Sequence, residues 1–204
     1  MNREKLRLAQ ANFLQQYPKG FADPAMQSIR KKHNVDRLVE FAQQNLTKAH
    51  FNQPEFICDT LWKIISRSSM VSRFEKPPFK NFLGALSSHE KKDFAYAMEQ
   101  RLFGRKQMGF ELILGMLSPH KIAKWAVITA VPFYVAPRRE VFVKPTTAKG
   151  ILKFLEVDKP QYHATPSWTF YRGYQQLLAE IRREVPSNLS PNNAALSGFL
   201  MMSV

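Results

Sequence analysis

The side chains best suited to binding a ligand lie in a basic segment, residues 121–153. This segment contains one acidic residue, Glu140, and seven basic ones: Lys121, Lys124, Arg138, Arg139, Lys144, Lys149 and Lys153. The hydroxyls of Thr146 and Thr147 lie among them, together with the aromatic residues Trp125, Phe133, Tyr134 and Phe142. Basic and hydroxyl side chains bind phosphate oxygens, and aromatic rings stack on bases. The basic segment therefore predicts contacts with a nucleic acid.

An alternative interpretation gives the same residues only structural roles. Tryptophan and phenylalanine in an apolar run usually face the interior, so the aromatic rings would belong to the core. The lysine stems would then cover that core, with their charges in solvent. Both interpretations stay open on the sequence, and the burial of the rings distinguishes them.

A local anion site is predicted at Thr146-Thr147-Ala148-Lys149-Gly150. If a helix begins there, its unpaired backbone N–H groups, the two threonine hydroxyls and Lys144 converge on one point. The alternative is that a threonine only caps the helix, which is a common role for Ser and Thr.

Residue patterns for catalysis or metal binding are sparse in this sequence. The five histidines are scattered, and Cys58 is the only cysteine, whereas a zinc site needs several nitrogen or sulfur ligands. The serines of residues 66–69 have no neighbouring base and no Gly-x-Ser-x-Gly turn. Around Glu140 there are too few carboxylates to hold Mg²⁺. We therefore predict no catalytic residue, no metal site and no cofactor, and we expect a protein that is not an enzyme.

The spacing of apolar residues predicts a mostly α-helical fold. The best-bounded helix covers residues 87–104, where Ser87 and Glu90 form a capping box and Gly104 follows the last turn. Pro54 is well placed to open another helix. Residues 131–144 are rich in Val, Phe and Tyr, and they predict a minor β-hairpin or short sheet with a strand at 140–144.

The sequence predicts one globular domain over residues 1–204. A division into a helical part (1–117) and a basic α/β part (118–204) stays open. The formal net charge is +14, and residues 60–153 carry most of it, with seventeen basic and six acidic residues.

The sequence also predicts where the protein resides. The longest apolar run, residues 125–136, is shorter than the roughly 20 residues that a membrane-spanning helix needs, so we expect a buried element and no membrane association. The lone cysteine and the absence of a signal-peptide pattern predict a cytoplasmic protein.

Four landmarks resemble those of an uncharacterised bacterial family of basic, mostly helical proteins. They are YPKGFADP at 17–24, KW at 124–125, VFVKPT at 141–146, and PSW at 166–168 with Tyr171. The Lys-Pro-Thr block and the Pro-x-Trp-x-x-Tyr block are also similar, more weakly, to a module associated with modification-dependent restriction systems. The motors of those systems carry a phosphate-binding Gly-x-x-x-x-Gly-Lys-Ser/Thr motif, which this sequence lacks. The resemblance implies recognition of DNA or RNA at most.

Taken together, these features predict a non-enzymatic nucleic-acid-binding protein whose basic segment contacts the phosphates of DNA or RNA. A sequence pI near 10 is typical of such proteins. One alternative is a regulatory or adaptor protein that binds acidic protein partners through the same surface. A second is an enzyme that acts on a phosphate-bearing small molecule.

Overall fold

The computed structural model of the protein describes residues 1–203, and most of them lie in α-helices. In chain order these are α1 (Arg3–Gln16), α2 (Gln27–His33), α3 (Val35–Asn45), α4 (Pro54–Arg67), α5 (Lys76–Ala85), α6 (Ser88–Phe103), α7 (Lys106–Leu117), α8 (Trp125–Val135), α9 (Pro145–Phe154), α10 (Trp168–Glu184) and α11 (Asn193–Met202). Short 3₁₀ turns lie at Gly20–Ala22, Pro24–Met26, Lys48–Asn52, Ser118–His120 and Ser187–Leu189. The mostly α-helical prediction is confirmed.

Local sequence signals set several helix ends. Helix α6 begins with the predicted capping box, in which the Ser87 hydroxyl accepts from the Glu90 backbone N–H at 3.3 Å and the Glu90 carboxylate accepts from the Ser87 backbone N–H at 2.8 Å. Helix α4 begins at Pro54. Proline has no backbone N–H, so it leaves no donor unpaired in the first turn. The 3₁₀ turn at Ser118–His120 ends at Lys121, which adopts a positive φ of 58°.

Helix α8 crosses the middle of the core. Its residues from Trp125 to Tyr134 are all buried, and it packs against α3, α4, α6 and α7. A helix that is apolar on every side must be enclosed in this way. Residues 131–135, expected in a β-hairpin, are therefore the last part of a buried helix.

The rest of the predicted hairpin, residues 136–144, is also not a strand. No β-strand is present within residues 1–203, so the prediction of a minor β-hairpin or short sheet is wrong. The Val141 backbone N–H donates to the Tyr171 hydroxyl at 3.2 Å, and the Val143 N–H donates to the Thr129 hydroxyl at 3.0 Å. The Asn193 side chain donates to the Glu140 carbonyl at 2.8 Å. Side chains of α8, α10 and α11 thus bind the backbone groups that a neighbouring strand would otherwise bind.

The first helix packs against the last part of the chain. The Asn2 backbone N–H donates to the Leu155 carbonyl at 2.7 Å, and the rings of Phe13 and Phe199 pack edge to face at 5.3 Å. Buried apolar residues form a cluster that includes Leu6 near one end and Leu200 near the other. The division of the chain near residue 117 stays a prediction.

No helix within residues 1–203 combines the length and apolar character needed to cross a bilayer.

Candidate nucleic-acid interface

The seven basic residues of the basic segment all lie at the surface. None of them forms an ion pair with a carboxylate of residues 1–203, and the ion pairs that the structure contains involve other cations. Their charges are therefore available to a ligand from solvent.

The aromatic rings of the basic segment are not available. Trp125, Phe133 and Tyr134 are at most 1% exposed, and Phe142 is 8% exposed. These rings belong to the core, as the structural alternative expected, because they lie on the enclosed helix α8 or on the buried segment that follows it. Base stacking by them would require the core to open.

The only acid of the basic segment, Glu140, is buried and paired. Its carboxylate accepts from Arg101 Nη2 at 2.8 Å, from Lys106 Nζ at 2.6 Å and from the Tyr171 hydroxyl at 2.6 Å. Burial by itself raises the pKa of this carboxyl group, but the adjacent guanidinium and the three hydrogen bonds lower it to about 2. The negative charge of Glu140 is balanced by Arg101 and Lys106. It therefore offsets none of the seven surface charges.

Arg101 is held in place by close packing of two helices. A Cβ atom on Gly109 of α7 would lie 2.2 Å from the Arg101 backbone nitrogen, so only glycine allows α6 and α7 to approach this closely. The Arg101 guanidinium carbon lies 4.9 Å from the centre of the Tyr171 ring and 5.6 Å from that of Trp168. Its Nε and Nη1 have no hydrogen-bond partner among residues 1–203. The cation–π contacts with these two rings stabilise that part of the guanidinium.

The seven cations do not form one compact cluster. Lys121 and Lys124 precede α8, whereas Arg138 and Arg139 follow it, so an eleven-residue helix about 16 Å long separates the two pairs. Arg138 is fixed by a hydrogen bond of 3.3 Å from its Nε to the Pro191 carbonyl.

Lys149 and Lys153 lie on helix α9, and Lys144 immediately precedes it. Thr146, Lys149 and Lys153 are exposed and follow one another at helical spacing, while Ala148, Ile151, Leu152 and Leu155 are buried on the opposite side. The Lys149 ammonium lies 5.8 Å from the centre of the Tyr162 ring. Thr146 and the two lysines thus form a polar strip on the outer face of α9.

The predicted anion site lies at the start of α9. The helix begins at Pro145 with Lys144 as the preceding cap residue, so neither threonine caps it. The Thr147 hydroxyl donates to the Met201 sulfur at 3.3 Å and is turned towards α11. The backbone N–H groups of the first turn have no helical carbonyl to bind, and Lys144 and Thr146 are exposed beside them.

A second feature, the α2–α11 groove, was not predicted from the sequence. It has a volume of about 610 Å³ and lies between α2, α11 and the start of α9, with Lys32, His33, Ser69 and Lys144 in its wall. His33 Nδ1 lies 2.9 Å from the Ser69 hydroxyl oxygen. Burial, and then the charges of Lys32 and Lys144, lower the pKa of His33. Lys31 and Lys32 form a visible basic pair in the sequence, but nothing in it indicates that Lys32 and Lys144 share a cavity.

Protein-family models, curated proteins and solved structures yield no match to this chain. The family resemblance of the four landmarks stays a prediction. Within residues 1–203, no group of three or more His, Cys, Asp or Glu side chains is arranged to hold a metal ion.

Proposed function

We propose that the protein binds nucleic acid through the phosphate backbone, using the basic segment. The observation that carries this proposal is the separation of charge within the segment. Its seven cations are exposed and unpaired with carboxylates of residues 1–203, while its single anion, Glu140, is buried against Arg101 and Lys106. Cations held this way bind most strongly to a ligand with many negative charges.

The spread of the cations favours a linear polyanion over an acidic protein surface. The pairs flank a helix about 16 Å long, and duplex DNA carries one negative charge per roughly 1.7 Å of its axis. A long polyanion presents phosphates at every point along its length, so it can meet cations that are spread over a surface without a precise match. An acidic protein would need carboxylates at those particular positions.

A salt titration of matched charge-reversal variants tests the proposal. The first variant replaces Lys124, Lys149 and Lys153 by glutamate; the control replaces Lys48, Lys63 and Lys92, three exposed lysines on other elements. Binding to a labelled duplex is followed by fluorescence anisotropy between low and physiological salt. The binding constant falls as salt rises, and each phosphate contact makes the slope of log K against log salt steeper by about 0.9. The first variant loses three contacts, so its slope should be shallower by close to 3.

The control variant decides between a site and bulk charge, because both variants change the net charge equally. We expect it to bind more weakly through long-range repulsion but to retain most of the salt slope. Equal loss of slope in the two variants would show that no specific site exists. If the unmodified protein does not bind duplex DNA or RNA at low salt, the proposal is wrong, and an acidic protein partner becomes the better explanation.

A further inference from the structure

The α2–α11 groove has an apolar wall that is open to solvent. Ile29 of α2 and the α11 residues Met201 and Met202 are 36%, 49% and 42% exposed, and all three line it. Phe142 and Phe21 contribute aromatic carbon to the same wall. Large apolar side chains gathered at one exposed site are typical of ligand-binding surfaces, and methionine adapts well to ligands of irregular shape.

One end of the groove is basic. Lys32 and Lys144 are close enough to His33 for both ammonium charges to disfavour its protonated form. Arg30 lines the groove as well, and Asp36 is the acidic residue in its wall, so positive charge is in excess there. The imidazole of His33 and the hydroxyl of Ser69 hydrogen-bond to each other at this end and offer polar groups beside the lysines.

From this combination we infer that the α2–α11 groove binds a single-chain amphiphile with an anionic headgroup, a carboxylate or a phosphate. The alkyl chain lies against Ile29, Phe142 and the α11 methionines, and the headgroup lies between Lys32 and Lys144. An anion at that position is attracted by both lysines, while the chain covers exposed apolar surface.

The size of the groove suits a small molecule. Its volume of about 610 Å³ lies within the range of about 300–1,000 Å³ typical of small-molecule sites.

Calorimetry on the full chain tests this inference with three probes below their micelle-forming concentrations: decanoate, decyl phosphate and decyltrimethylammonium. We expect at least one anionic probe to bind at least tenfold more tightly than the cationic one, which has the same chain length. The tighter of the two anionic probes identifies the headgroup that the groove prefers.

Three single substitutions locate the binding site. Lys32→Gln and Lys144→Gln should each weaken the anionic probe about fivefold or more, whereas Lys31→Gln should not, because Lys31 is exposed on the same helix but does not line the groove. Gly198→Leu should reduce binding at least tenfold, since a Cβ at Gly198 already lies 3.4 Å from the Phe21 ring and a longer side chain occupies the cavity. An unchanged melting temperature of each variant shows that the fold is retained.

Several results would overturn the inference. If Lys31→Gln weakens probe binding as much as Lys32→Gln and Lys144→Gln do, the probe adsorbs to the surface through charge alone. If Gly198→Leu leaves probe binding unchanged, the probe binds outside the groove. Binding of an acidic amphipathic peptide, without binding of the alkyl probes, would assign the groove to a protein partner. Because Gly198 lies outside the basic segment, loss of amphiphile binding with an intact DNA salt slope separates this inference from the proposed function.

Discussion

Glu140 is the residue on which the charge balance of the basic segment depends. A buried carboxylate is tolerated only when its partners are close and well oriented, and here Arg101, Lys106 and Tyr171 all donate to it. The same arrangement explains why Arg101 can be buried. Each member of the pair is stable in the interior only while the other is present.

Replacing Glu140 by glutamine should therefore destabilise the protein by about 3–5 kcal/mol at neutral pH, because Arg101 remains buried without a counter-charge. Urea denaturation measures this loss. Glu156→Gln is the control: its ion pair with Lys5 is solvent-exposed, and such pairs contribute little to stability. A cost below 1 kcal/mol for Glu140→Gln would contradict the role given to this pair.

The pH dependence of stability, compared between the unmodified protein and Glu140→Gln, tests the lowered pKa of Glu140. The pKa of Glu140 is about 2 in the folded state and near 4.5 in an unfolded chain, so the stabilisation is complete above 4.5 and is lost as the pH falls towards 2. Between pH 5 and pH 3 the unmodified protein should lose about 2 kcal/mol more than Glu140→Gln. Parallel loss in both proteins would mean that the pKa of this carboxyl group is not lowered.

At the scale of elements, α8 and the segment after it show how side chains replace a sheet. Val, Phe and Tyr favour strands, but here an enclosing shell of helices selects a helix for residues 125–135 and an irregular buried segment beyond it. Thr129 connects the two parts: its hydroxyl donates to the Trp125 carbonyl at 2.7 Å and accepts from the Val143 N–H. One buried hydroxyl thus takes the place of a strand partner.

Thr129→Val keeps the shape of the side chain but removes this acceptor, and leaves the Val143 N–H buried without a partner. We expect a loss of about 1–3 kcal/mol in the free energy of unfolding, measured by denaturant titration. Thr169→Val, at an exposed position in the first turn of α10, should change stability much less. Equal effects of the two substitutions would show that exchanging a helical hydroxyl for a methyl group, and not the loss of the bond to Val143, accounts for the change.

At the scale of the whole molecule, the burial of the aromatic rings bears on whether the proposed ligand is a single strand or a duplex. Proteins that prefer single strands gain about 1–3 kcal/mol per base from stacking on exposed aromatics. Trp125, Phe133, Tyr134 and Phe142 are enclosed in the core and offer no such platform.

A duplex should therefore bind at least as tightly as a single strand of the same length, with little dependence on base sequence. Competition between labelled duplex and unlabelled single strands at one salt concentration measures this ratio. A clear preference for the single strand would indicate exposed bases stacked on other groups, and would contradict binding through the phosphates alone.

The sequence by itself determined the features that depend on neighbouring residues. The capping box of α6, the start of α4 at Pro54 and the exposure of the lysines all follow from short-range preferences and from the hydration of charge. The buried character of residues 125–134 was also visible in their composition.

Only the tertiary structure decided the features that join distant residues. Arg101 and Glu140 are 39 positions apart, and Thr129 and Val143 are 14 apart, so no local pattern records either bond. Ser69 and His33 are hydrogen-bonded although they are 36 positions apart, and Lys32 and Lys144 line the same groove although they are far apart in the chain. The physical reason is that burial and pairing are properties of the packed molecule: a side chain acquires its partner, its pKa and its cavity when helices from separate parts of the chain come together.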